Sequence, residues 1–141
     1  MTATVVYEAP GEVSVWFDAN PAEIVVRWTR FGDHTTFRDS LDAQADLVEA
    51  GRARFIVVDV QAATGSPSAR DHDYVNRFVY PRYRAGGLAA IVTVLPRDAH
   101  TRMGTQRWQQ HGRAWGFAVY ETATLDDAHD LLQDHHARMP V

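Results

Sequence analysis

The chain contains no cysteine, which removes disulfides, thiolate nucleophiles and cysteine-held metals together. It contains no lysine either: all 14 basic residues are arginine, a bias of composition rather than a mark of chemistry. No apolar stretch approaches the roughly 18 residues needed to cross a bilayer, since even residues 88–95 form a short run interrupted by Thr93. The opening residues, 1–8, lack both a basic segment and a long apolar one and do not read as a signal peptide, so a cytoplasmic location is expected. Catalytic signatures are missing as well. There is no Gly-x-Ser-x-Gly elbow, no Gly-x4-Gly-Lys phosphate loop, no dinucleotide glycine fingerprint and no His-Glu-x2-His pair.

What is present suits a single folded unit. At 141 residues and 45% hydrophobic content the sequence can bury roughly two-thirds of its unfolded surface around one core, so one domain over residues 1–141 is expected, with no need of a metal. A net charge of −4 argues against nonspecific nucleic-acid binding. The charge is unevenly spread: residues 70–113 carry eight arginines against Asp71, Asp73 and Asp98, whereas residues 121–136 carry five acids and no arginine. Solvated helix faces account for such a pattern as well as a charged interface does.

Val13, Val15 and Phe17 alternate with polar neighbours, and Ile24, Val26 and Trp28 do the same, the period of half-buried strands. Ala19-Asn20-Pro21-Ala22 between them has turn chemistry and predicts an antiparallel hairpin. Residues 5–8 form a shorter first strand ended by Pro10-Gly11. From residue 36 to 50 the period becomes helical, with Phe37, Leu41, Ala45 and Val48 on one face, Thr35 or Thr36 as cap and Gly51 as terminator. Residues 55–60 and 88–95 are apolar without alternation, as strands covered on both faces are. Between them lies a second helix with Tyr74, Val75, Phe78 and Val79 inward, stopped or kinked by Pro81. A third helix, 98–114, carries His100, Trp108 and His111 at near-helical spacing; a strand, 117–121, and a helix from Leu125, with Ala128, Leu131, Leu132 and His135 inward, complete the pattern. The expected fold is α/β, a mixed, mainly parallel sheet of five or six strands with four helices and a leading β-hairpin.

That order of elements resembles the STAS/SEC14-like family. The residues that carry the resemblance are Val26-Arg27-Trp28 before the first helix, Phe55-Ile56-Val57-Val58-Asp59 ending in an acid, the helix with Tyr74 and Tyr80-Pro81, and Gly86-Gly87-Leu88-Ala89-Ala90-Ile91-Val92 entering the next strand. The resemblance implies a bacterial, non-catalytic interaction or signalling module. In anti-sigma-factor antagonists of this family a serine after the central strand is phosphorylated, and the matching region here is residues 59–68, which departs from the usual Asp-Ser pair. Ser66 and Ser68 are the candidates, while a helix cap explains Ser68 without any regulation. SEC14 similarity implies the alternative of a pocket for a small apolar or nucleotide-type ligand.

Candidate binding residues follow from position. Asp59 ends a central strand, where open α/β sheets bind ligands. Thr64, Ser66 and Ser68 supply hydroxyls in the next loop, and Arg70, with Arg82 and Arg84 further along, can stabilise a phosphate there. Asp59 with a histidine as an acid/base pair would make a small hydrolase or lyase, the remaining reading. His129 and His135 are six apart, out of phase for one metal, and His72 between Asp71 and Asp73 looks like solvated surface. No cofactor and no catalytic residue are assigned. A protein partner or small-molecule ligand is expected, together with a homodimer built on exposed aromatics such as Trp16, Trp108 or Trp115.

Overall fold

The alternation at the start of the chain becomes three antiparallel strands: β1 (Thr4–Ala9), β2 (Val13–Asp18) and β3 (Glu23–Trp28). A computed structural model of the chain describes residues 3–96 and 115–138. Val13, Val15 and Phe17 are buried on one face of β2, and Ile24, Val26 and Trp28 continue that face on β3, as the period of two requires. From β3 onward the sheet is parallel, through β4 (Phe55–Asp59), β5 (Ala90–Val94) and β6 (Ala118–Thr122), and the six strands lie in sequence order.

The helices are α1 (His34–Glu49), a longer helix α2 built from Ala69–Tyr74, a π turn Val75–Val79 and Tyr80–Ala85, and α3 (Leu125–Arg138). Four helices were expected and three are found among the described residues; the expected helix 98–114, with His100, Trp108 and His111, lies outside them. Right-handed crossovers between neighbouring parallel strands put their helices on one side. So α1 and α2 share a face of the sheet, packed on Val26, Trp28 and Ile56, and α3 packs on the other against Phe55, Val57, Val92 and Val94. Between these layers every residue of β5 is buried, as are four of the five in β4. Each large aliphatic side chain so buried is worth about 1.5–3 kcal/mol.

Local details depart from the sequence expectation for physical reasons. The cap of α1 is Asp33, not Thr35 or Thr36, because its short carboxylate accepts the N–H groups of both threonines, at 2.8 and 3.3 Å. Pro81 does not end its helix. The π turn just before it lets the Tyr80 N–H reach back to the Val75 carbonyl, an i→i−5 bond that loosens the turn where the proline ring would otherwise crowd the backbone. The wider turn also swings Phe78 off the buried face that holds Val75 and Val79, and leaves it exposed. Aromatic packing closes the sheet's end: Trp28 stacks on Phe31 at 4.6 Å between centroids and meets Phe37 at 5.6 Å.

Candidate functional site

The parallel strands β3, β4 and β5 end at one edge, where the 29–33 and 60–68 loops emerge. The second loop is pinned to the first. The Thr64 N–H donates to the Thr29 carbonyl at 3.1 Å, the Phe31 N–H donates to the Thr64 carbonyl at 3.0 Å, and Thr64 and Arg30 form a short parallel bridge. Gly65 is what allows the approach: it has φ +78°, and a Cβ there would stand 2.7 Å from the Phe31 carbonyl oxygen. The loop is therefore a rigid ledge that carries the Thr64, Ser66 and Ser68 hydroxyls.

Asp59 is buried, and its two carboxylate oxygens accept from Arg27 Nε at 3.3 Å and the Gln61 N–H at 3.1 Å. Arg27 is its register partner across β3 and β4 and lies over the Trp16 ring. Asp59 thus has the environment of a loop acceptor and ion-pair partner, with Arg27 and Gln61 rather than a histidine at its carboxylate. Ser68 caps α2, its Oγ accepting the Asp71 N–H at 3.1 Å. Ser66 Oγ donates to the Pro67 carbonyl at 3.3 Å. Arg70 is exposed in the first turn of α2, beside these hydroxyls in sequence. Arg82 and Arg84 are not part of this group: fourteen residues of helix separate Ser68 from Arg82, about 20 Å at 1.5 Å per residue. The Arg82 guanidinium instead holds Asp46 and Glu49 of α1 at 2.5 and 2.6 Å. The bond to Glu49 and then that to Asp46 raise its pKa further, while burial opposes them. Arg84 is exposed in the last turn.

Sequence reasoning missed two histidine–carboxylate pairs. His34 Nδ1 lies 2.7 Å from Asp71 Oδ1, where the first turns of α1 and α2 meet. His72, read as solvated surface, is buried together with Asp71, because the start of α1 packs over the start of α2. The second pair, His129 with Glu23, joins α3 to the start of β3 at 2.8 Å. The remaining histidine of interest, His135, has Nδ1 3.0 Å from the Tyr120 hydroxyl, so the two residues weighed as metal ligands face different partners.

Two concave features border α2. Inside, Gln44 Nε2 donates to the Ser40 carbonyl at 3.1 Å and its Oε1 accepts from the Tyr83 hydroxyl at 3.4 Å, beside a cavity of about 40 Å³ that Tyr80 and Thr93 also line. Burial raises the pKa of both tyrosines above the ordinary value. Outside, Tyr74 and Phe78 of α2 and Asp42, Asp46 and Arg82 line an open groove between α1 and α2. The Tyr74 hydroxyl donates to Asp42 Oδ1 at 2.6 Å; burial, then this bond, push its pKa up to about 12. Arg38 stacks on the Tyr74 ring at 4.7 Å, and Phe78 lies 5.4 Å from it on the solvent side.

Comparison with family models, with curated proteins and with solved structures finds no match to this chain. Among the described residues no helix is long and apolar enough to cross a membrane.

Proposed function

We propose that the chain is a non-catalytic interaction module of the STAS/SEC14-like kind, which docks a protein partner on the outer face of α2 beside the 61–70 loop. The observation that carries this reading is Phe78, 56% exposed and seated in the groove with Tyr74 and Arg82. Apart from its contact with the Tyr74 ring, most of this side chain is left uncovered by the fold. Tyrosine and arginine beside it are among the residue types that dominate binding hot spots. Asp42, Asp46 and Glu49 outnumber the Arg82 that they surround, and the net negative rim favours a partner segment in which an apolar residue is flanked by basic ones. Phosphorylation of Ser66 or Ser68 at the start of the same helix, about 15 Å from Phe78 along its axis, is the proposed control.

The test is Phe78→Asp. Surface substitutions of this kind change stability by about 0.5 kcal/mol or less, whereas loss of an anchor residue weakens binding by about 2 kcal/mol or more. Titration of a cross-linked and identified partner should show roughly a thirtyfold weaker complex with an unchanged melting curve. Equal affinity in the variant would overturn the reading.

The inner cavity favours a second reading, a SEC14-like binder of a small apolar ligand. At about 40 Å³ it admits no more than a few water molecules, so this role requires α1 and α2 to open. The docking groove requires no such rearrangement.

A further inference from the structure

A wide concave surface lies at the opposite edge of the sheet. There the turn between β2 and β3, the start of β4 and the face of α3 surround a cleft of about 740 Å³. That volume falls inside the range of about 300–1,000 Å³ typical of small-molecule sites, which the inner cavity does not approach. Val25 and the turn residues Ala19, Pro21 and Ala22 give the cleft apolar surface, over a floor of buried Phe55 and Leu132. Its charged lining is Asp18, Glu23, Arg54 and His129, and these sort into two kinds.

Glu23 and His129 form one closed pair. Glu23 is 5% exposed, and its Oε1 meets His129 Nδ1 at 2.8 Å, which fixes the imidazole and leaves Nε2 as the ring's remaining polar atom. Burial is the main reason why the Glu23 pKa lies above its ordinary value, with Asp18 adding to it and His129 opposing. A displaced titrating group in a cleft, held by a specific charge partner, is a candidate for a functional site. Asp18 and Arg54 form no ion pair with each other: Asp18 Oδ1 only accepts the Asn20 N–H at 3.1 Å, and Arg54 is exposed. Ala22, also in the lining, holds φ +69°, a left-handed conformation that costs a non-glycine residue energy and recurs at ligand sites.

One negative and one positive group, not spent on each other, beside an apolar surface and an oriented imidazole, complement a molecule that carries both charges on an apolar body. We propose that this cleft binds a small apolar zwitterion of the amino-acid class, with Arg54 taking the carboxylate, Asp18 the ammonium and Val25, Pro21 and Ala22 the side chain. His129 Nε2 supplies a further hydrogen bond, and Glu23 is a positioning residue for that ring. The site is independent of the α1–α2 groove and stands or falls apart from it.

The experiment is an NMR titration of the intact chain with three probes: L-leucine, 4-methylpentanoate, which lacks the ammonium, and 3-methylbutylamine, which lacks the carboxylate. Leucine should shift the amides of Asp18, Glu23, Arg54 and His129, and each analogue should bind about tenfold more weakly or worse. Arg54→Ala and Asp18→Asn, the latter retaining an acceptor for the Asn20 N–H, should each weaken leucine binding by about tenfold with circular dichroism unchanged, while Phe78→Asp leaves it intact. Equal binding of the three probes, shifts confined to other surfaces, or no saturable binding of leucine would each overturn the proposal.

Discussion

Gly86 closes the end of α2 against the end of α1, and replacing it with alanine probes that contact in isolation. Its backbone is ordinary right-handed helix, φ −81° and ψ −5°, so alanine meets no conformational penalty there. Reduced freedom of the unfolded chain would then stabilise the variant by about 0.4–1 kcal/mol. Packing opposes this. A Cβ on Gly86 would stand 2.6 Å from the Val48 carbonyl carbon and 2.9 Å from the Glu49 nitrogen, and both are backbone atoms with no rotamer to yield. Overpacking of this kind costs about 1–3 kcal/mol and sometimes more, so the packing term wins and Gly86→Ala should lose about 1–2 kcal/mol net. For a chain of this size that is a fall of roughly 3–8 °C in melting temperature. Gly51→Ala is the control, because Gly51 has φ +75° with nothing within 4 Å, so its loss comes from backbone strain alone. Thermal melts by circular dichroism read both variants. A Gly86→Ala protein as stable as the parent, or more so, would refute the close approach of α1 and α2 and with it the groove that Phe78 occupies.

Ser66 and Ser68 changed together to alanine should cost about 1 kcal/mol, the worth of the Ser68 cap, and should abolish the partner-dependent signal; a double mutant that binds like the parent makes the loop a connection only. Glu23→Gln should show a pH-dependent gain. Because burial raises the carboxyl's folded-state pKa above 4.5, its contribution is fully present below that value and is lost as pH rises through the raised one. The glutamine variant should therefore melt above the parent near neutrality, with the gap narrowing towards pH 4, and a gap that is constant with pH contradicts the assigned cause. Two copies of the chain are expected to meet on the face of β1 and β2 where Val5 is 51% exposed and Trp16 half-buried. A monomer by light scattering at high concentration removes that expectation.

Strand periodicity was legible from residues alone because each strand's covering is written locally. Val15 and Phe17 need only alternate, and 55–58 and 90–92 need only be apolar without alternation, for burial on one face or two to follow. Capping by Ser68 was legible for the same reason, since donor and acceptor lie three residues apart. Phe78 was misread because one π turn shifts a helical stripe, and no residue in that turn announces it. Trp115, a candidate for an exposed dimer patch, proves half-buried with its indole N–H donating to Asn76 at 3.1 Å, a pairing across 39 positions. The histidine pairs were beyond local reading altogether: His34 meets Asp71 across 37 positions, and His129 meets Glu23 only because α3 crosses the sheet to the start of β3. Arg82 was assigned to the loop by nearness in sequence, but the rise of the helix carries it to the carboxylates of α1. Composition and period determined the layers of this protein, whereas the charged partners were decided by which elements the sheet order brings side by side, because an ion pair depends on distance in space and leaves no period in the chain.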